Sequence, residues 1–123
     1  MRHDGYMLPF TIGGERLRLT AGSREDGTLG EVALNWGKHG SATAGLADAY
    51  ATAVTAGLEH GVPLPDLLRS GLGRRFAPGG NTDDPEISRA VSVLDYVARR
   101  LALDWLPAAE RGALGVTEPR LGT

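Results

Sequence analysis

The chain has 123 residues, with 13 Lys and Arg against 15 Asp and Glu, a formal net charge of −2, and no cysteine. This length predicts a single domain with one hydrophobic core over residues 1–123. The lack of cysteine excludes disulfides, thiolate nucleophiles, thiyl radicals and cysteine-based metal sites. No apolar stretch reaches the ~20 residues of a membrane span, and no secretory signal is present, so we expect a cytoplasmic protein without membrane contact. Generic nucleic-acid binding is not expected from this charge, and only Arg74-Arg75 and Arg99-Arg100 hint at a basic patch.

The first third of the chain has the alternating pattern that is typical of β-strands. Apolar and polar residues alternate in three short segments, at residues 10–12, 17–20 and 32–36. Gly13-Gly14 separates the first two segments and is a two-residue hairpin signal. These segments predict an antiparallel meander of three strands.

Two long helices are predicted to cover the sheet. The first has Ser41 or Thr43 as its N-cap and ends at Gly61. Its predicted apolar face is formed by Leu46, Tyr50, Ala53, Val54, Gly57 and Leu58. The second helix is predicted from Asp84 as N-cap and Pro85 at the first helical position, with an apolar periodicity that continues to Trp105.

The predicted fold class is therefore α+β, a small antiparallel three-stranded β-meander with two long helices packed on one face. A short helix is expected at residues 66–70 and a final turn at residues 108–113. The ordered core is predicted at about residues 8–106, and residues 107–123 are predicted to be a tail that frays beyond its turn. A three-stranded sheet leaves edges and one face that need cover, so a homodimer is expected.

The sharpest local motif is the turn Gly37-Lys38-His39-Gly40-Ser41 between the third strand and the first helix. Free backbone N–H groups and the helix dipole favour an anion at such a turn, and Lys38 adds positive charge. The alternative is a plain helix cap at Ser41 without a ligand. Because position 42 is Ala and position 43 is Thr, His39 has no partner at metal-ligand spacing, and no metal site is expected.

Asp48 interrupts an apolar stretch of the first helix and has three possible roles. It faces solvent, or it forms an ion pair with Lys38, Arg74 or Arg75, or it serves with His39 as an acid/base pair. No Ser/His/Asp set and no paired carboxylates accompany it. The residues therefore predict no catalytic site, and Asp48 with His39 remains the alternative.

A second candidate binding segment begins at Arg74-Arg75 and ends near Asn81. An arginine pair beside Phe76 could bind a phosphate group or stack on a base. The same arginines could equally anchor the loop to Asp83 or Asp84. The predicted ligand-binding residues are Gly37, Lys38, His39, Gly40, Ser41, Arg74, Arg75 and Asn81.

From Phe10 to about Val116 the chain resembles the TSCPD-related C-terminal region of adenosylcobalamin-dependent, or class II, ribonucleotide reductases. The resemblance rests on collinear segments: Gly13-Gly14, Asp26-Gly27, Gly30-Glu31, Gly37–Ser41, Gly45–Ala49, Gly61–Leu64, Arg75–Ile87 and Asp95–Asp104. In that family, a large barrel upstream of this region holds substrate and cobalamin. Reduction there uses a thiyl radical and a redox cysteine pair. The resemblance therefore implies that a chain without cysteine performs no reductase chemistry on its own.

Three functions are compatible with this resemblance. The first, which we prefer, is a stand-alone accessory or regulatory module that binds a reductase or a nucleotide-like ligand and meets cobalamin only through that reductase. The second is a repurposed small enzyme or ligand-binding protein that uses the glycine turn with Asp48 or His39. The third is a self-associating structural module whose small-residue face, at Ala44, Ala47, Ala51 and Gly57, allows close helix packing.

Overall fold

The alternating residues of the first third form a sheet with one apolar face. In the computed structural model, which describes residues 5–117, strands β1 (Gly5–Ile12), β2 (Glu15–Ser23) and β3 (Leu29–Trp36) pair antiparallel in the order β1-β2-β3. Gly13 and Gly14 both have positive φ, as the two-residue turn between right-twisted strands requires. The predicted meander is confirmed.

Four helices and one short hairpin follow the sheet in the described part of the chain. They are α1 (Ala42–Glu59), α2 (Leu64–Leu68), the two-residue strands β4 (Gly80–Asn81) and β5 (Arg89–Ala90), α3 (Val93–Trp105) and α4 (Ala108–Leu114). This arrangement confirms the α+β class. Helix α2 begins two residues before its predicted start, and the predicted final turn is helix α4, after which Val116 is buried. No helix within residues 5–117 is long and apolar enough to cross a membrane.

The core lies between the sheet and helices α1 and α3. The buried residues of the sheet are Phe10, Ile12, Leu17, Leu19, Ala21, Leu29, Val32 and Leu34. Helix α3 contributes the most fully buried helical residues, including Tyr96, Val97 and Leu101. Phe10 stacks on Tyr96 with 4.2 Å between ring centroids, which fixes α3 against β1.

The face that α1 turns toward the core differs in part from the prediction. Val54 and Leu58 are buried as expected, but Ala53 is exposed and Leu46 is 70% exposed. Ala47 and Ala51 are buried instead. Small side chains allow α1 to lie close to β3, where Thr55 Oγ1 bonds both the N–H (3.0 Å) and the carbonyl (3.1 Å) of Val32. The prediction was therefore wrong for Leu46 and Ala53, because the buried stripe of α1 runs through Ala47 and Ala51 beside them.

The same packing uses the helix face that we predicted for self-association. Ala47 and Ala51 are buried within the chain's own core. At Gly57, an added Cβ would lie 2.6 Å from the Leu67 side chain of α2. This face is therefore occupied inside the chain, and it is not available for close helix packing with a second copy.

Helix α3 begins later than predicted. Ser92 is its N-cap, and the Ser92 side chain accepts a hydrogen bond of 3.0 Å from the Asp95 N–H. Asp84, the predicted cap, instead forms a local turn in which its Oδ1 accepts from the Glu86 N–H at 2.9 Å and its carbonyl accepts from Ile87. The Asp side chain accepts a hydrogen bond from a nearby backbone N–H both in an Asx turn and at a helix N-cap. The residues around Asp84 therefore give the same sequence pattern for either structure. Residues 1–4 and the predicted fraying of residues 118–123 lie outside the described residues.

Candidate functional site

The predicted glycine turn joins β3 to α1 beside an open depression of about 470 Å³. Ser41 is the N-cap of α1, and its Oγ accepts a hydrogen bond of 3.2 Å from the Ala44 N–H. Gly37 and Gly40 both have positive φ, which explains why the turn contains glycine at these positions. The cap at Ser41 is confirmed, and an anion at this turn stays a prediction.

The depression brings together several of the predicted site residues. Gly37, His39, Gly40, Ser41 and Asp48 line it. His39 and Asp48 are exposed, and Asp48 forms no ion pair with the described residues. Asp48 thus faces solvent, the first of the three roles considered, and the expected ion pair is not formed among the described residues; its acid/base role beside His39 stays a prediction.

Lys38 lies in the turn but does not line the depression, and the other predicted ligand residues lie on a different segment. The Asn81 carbonyl accepts a hydrogen bond from the Gly13 N–H at 3.0 Å, so this loop packs against the β1–β2 turn. Arg74 donates from Nε to the Ser70 carbonyl, and Arg75 is exposed. Of the eight predicted ligand residues, Gly37, His39, Gly40 and Ser41 line the depression, and Lys38, Arg74, Arg75 and Asn81 do not.

The hypothesis that Arg74 or Arg75 anchors the loop to Asp83 or Asp84 was wrong. Asp83 Oδ1 accepts a hydrogen bond of 2.8 Å from the Thr11 N–H on β1. Asp84 instead forms an ion pair with Arg100 of α3. The loop is therefore held by its carboxylates, through contacts with an edge strand and a helix.

A polar cluster that the sequence reasoning missed surrounds Arg100. The guanidinium donates from Nη1 to Asp84 at 2.9 Å, from Nη2 to Glu86 at 2.8 Å, and from Nε and Nη2 to the two oxygens of Asp104 at 3.0 and 2.8 Å. The side chains of Arg100 and Asp84 are each only 10% exposed. One guanidinium thus holds three carboxylates from the loop and from its own helix.

Two tyrosine hydroxyls complete this Arg100 cluster, which consists of Tyr6, Asp84, Glu86, Tyr96, Arg100 and Asp104. Tyr6 donates to Asp104 at 2.6 Å, and Tyr96 donates to Asp84 at 2.7 Å. Burial raises the pKa of both tyrosines, and the hydrogen bonds to the carboxylates raise it further. Both hydroxyls therefore remain neutral donors.

Asp84 and Arg100 stabilise each other's charged forms. Burial alone would raise the pKa of Asp84, but the Tyr96 hydroxyl, the Glu86 N–H and the Arg100 guanidinium outweigh it and hold the pKa below its usual range. Burial opposes the charge of Arg100, but its carboxylate partners raise the pKa of the guanidinium above its usual value. The ion pair of Asp84 with Arg100 thus ties the loop to α3.

A sequence signal for this cluster exists in part. Arg100 and Asp104 have the i,i+4 spacing of a helical ion pair. The contributions of Tyr6, Asp84 and Glu86 depend on tertiary contacts and have no local signature. The hint of a basic patch at Arg99-Arg100 was wrong, because Arg99 pairs with Asp95 and Arg100 with the cluster.

Comparison with known proteins places the chain among parts of much larger enzymes. It is 47% identical over 112 residues to vitamin B12-dependent ribonucleotide reductase of Streptomyces avermitilis, covering 91% of this chain and 12% of that protein. The enzyme of Streptantibioticus cattleyicolor is also 47% identical, over 91% of this chain and 19% of its own length. The enzyme of Bradyrhizobium diazoefficiens is 34% identical over 95% of this chain and 9% of its own.

The chain therefore spans less than a fifth of the length of each of these relatives. No solved structure matches it. The family model of the TSCPD domain matches residues 1–104, which contain the sheet, α1 and nearly all of α3. The chain thus belongs to the TSCPD domain family.

Proposed function

We propose that this TSCPD domain is a non-catalytic binding module of vitamin B12-dependent ribonucleotide reduction, and that it acts on a reductase protein. The observation that carries the proposal is chemical: the chain matches a small part of proteins with this name, and its 123 residues contain no cysteine. The resemblance implies thiyl and dithiol chemistry, which this chain cannot supply. The chain can therefore contribute to ribonucleotide reduction by binding.

The polar groups of the interior support a structural and binding role. Asp95, which is 1% exposed, accepts hydrogen bonds from the N–H groups of Gly73 and Val91 and from Arg99. In the Arg100 cluster, Asp84 and Asp104 are likewise engaged, with Arg100 and the two tyrosine hydroxyls. These groups hold the segment between α2 and α3 in place, and they are committed to that task. Because these polar groups are hydrogen-bonded to one another, the surface that they support is rigid.

The proposal is tested by measuring binding to a purified full-length vitamin B12-dependent ribonucleotide reductase. The chain is immobilised, and the reductase is applied from 0.1 to 100 μM in biolayer interferometry. Saturable binding in the micromolar range or tighter is expected. Serum albumin and a ribonucleotide reductase that does not use B12 are the controls. Binding that is absent at 100 μM, or equal for the controls, would contradict the proposal.

A second candidate function is favoured by the depression at the glycine turn, where the N-terminus of α1, His39 and Asp48 meet. This arrangement supports binding of a nucleotide-like or other anionic ligand, or acid/base chemistry by His39 and Asp48. Arg75 lies outside this depression. Substitution of Arg75 is therefore the control for substitutions at the glycine turn.

The second candidate is tested by thermal shift with ribonucleotides, deoxynucleotides, cobalamins and inorganic phosphate. A ligand at ~100 times its dissociation constant adds roughly 2.7 kcal/mol to the free energy of unfolding, which is readily measured. His39→Ala is expected to weaken the shift, whereas Arg75→Ala is expected to retain it. No shift with any compound would leave the turn as a helix cap only.

A further inference from the structure

A groove of about 620 Å³ runs along the outer edge of β1 and is separate from the glycine turn. One wall is the strand from Tyr6 to Phe10, and the other is the segment from Asp83 to Glu86. Tyr96, Arg100 and Asp104 of α3 form its floor. The groove therefore combines a strand edge with an apolar and acidic lining.

The backbone of β1 shows which strand groups face this groove. The Thr11 N–H donates outward to Asp83, and the Gly13 N–H donates outward to the Asn81 carbonyl. Because successive residues of a strand alternate in direction, Met7 and Pro9 direct their backbone groups to the same side. Pro9 has no N–H, so this edge offers mainly carbonyl oxygens.

The side chains of the groove are also rich in acceptors and poor in free donors. Four carboxylates line it, from Asp83, Asp84, Glu86 and Asp104, against the one guanidinium of Arg100. The lining thus carries three negative charges in excess. The Arg100 nitrogens and both tyrosine hydroxyls already donate within the Arg100 cluster. An occupant must therefore bring hydrogen-bond donors and positive charge.

We infer that this groove binds an extended basic segment of a partner protein, with an Arg or Lys side chain directed to Asp83 and Glu86. A free cation would use only the acidic end, whereas the wall from Tyr6 to Phe10 is about 14 Å long at strand spacing. Main-chain contacts along an edge strand together with side-chain pockets are a known mode of peptide recognition. This inference rests on the proposed function in one respect, since the segment belongs to the partner reductase.

The test uses a displayed library of random nonapeptides selected on the full chain. The variant Asp83→Asn/Glu86→Gln removes two charges but keeps the oxygens that accept from Thr11 and Arg100, so the fold is retained. Glu25→Gln/Glu59→Gln removes two exposed charges elsewhere and is the matched control. Enriched peptides are then measured by fluorescence anisotropy at 50 and 300 mM salt.

We expect enrichment of Arg or Lys, binding that weakens with salt, and at least tenfold weaker binding to Asp83→Asn/Glu86→Gln than to the wild type or the control. Amide shifts in ¹⁵N NMR should be concentrated at residues 6–10 and 83–86. Selected peptides without basic residues, equal binding to both double variants, or shifts elsewhere would overturn the inference. Loss of reductase binding with intact peptide binding would instead contradict only the proposed function.

Discussion

Replacing Arg100 by leucine is expected to destabilise the domain strongly. The substitution removes the one cation that compensates Asp84 and Asp104, whose side chains are 10% and 19% exposed. Removing one partner of a buried ion pair costs about 3–5 kcal/mol, because the remaining charge is left without compensation. A domain of this size has a free energy of unfolding of about 5–15 kcal/mol. The substitution therefore removes about 30–50% of a mid-range stability of about 10 kcal/mol.

Urea denaturation at pH 7, followed by far-ultraviolet circular dichroism, measures this loss. Arg69→Leu is the control, because the pair of Arg69 with Asp66 is 61% exposed on both sides and 3.8 Å long. Such an exposed pair contributes less than about 1 kcal/mol. The penalty for Arg100→Leu should shrink in acid, where the carboxylates take up protons. A loss below about 1 kcal/mol at pH 7, equal to that of Arg69→Leu, would refute the role assigned to the cluster.

Three further predictions concern pH, the start of α3 and glycine packing. The pKa of Asp84 in the folded protein lies below the value of about 3.9 in the unfolded chain. The stabilisation by the Asp84 carboxylate is therefore present above about pH 4 and is lost as the pH falls through the folded-state pKa. Urea midpoints measured from pH 2 to 7 should show this loss of stability, and the variant Asp84→Asn should have a flatter pH dependence. Ser92→Ala should cost about 0.5–2 kcal/mol in the same assay as a lost N-cap, and no loss would contradict a helix start at Val93. Gly71→Ala should cost about 1–3 kcal/mol, because the new Cβ would lie 2.9 Å from the Leu94 carbonyl oxygen. Gly45→Ala, in open space on α1, should stabilise by about 0.5–1 kcal/mol in thermal unfolding, and equal effects of the two would contradict the packing described.

The sheet was predictable because its signals are local. Alternation over three to five residues in each segment, with the Gly13-Gly14 turn, predicts both the strands and which face is apolar. The start of α3 was missed because Asp84-Pro85-Glu86 carries the acceptor, the proline and the acid of a helix start. Ser92 followed by Asp95 is a better match to the capping pattern at the true start.

The candidate sites were less predictable than the sheet, and the reason is distance along the chain. The glycine turn and Asp48 lie close in sequence, and the structure places them at one depression. The Arg100 cluster joins Tyr6 to Asp104, which are 98 residues apart. Neither residue has a neighbour in the sequence that signals this contact. In the same way, Ala47 and Ala51 of α1 are buried because β3 packs against the helix, and this tertiary contact has no signal in the sequence around them.

We propose that this domain contributes binding and no chemistry to ribonucleotide reduction. The most direct measurement is deoxyribonucleotide formation in the presence of adenosylcobalamin and dithiothreitol. It is made with the chain alone, with a full-length vitamin B12-dependent reductase alone, and with both. We predict no product from the chain alone and a concentration-dependent change in turnover when it is added to the reductase. Product from the chain alone, or unchanged turnover at saturating chain, would contradict the claim.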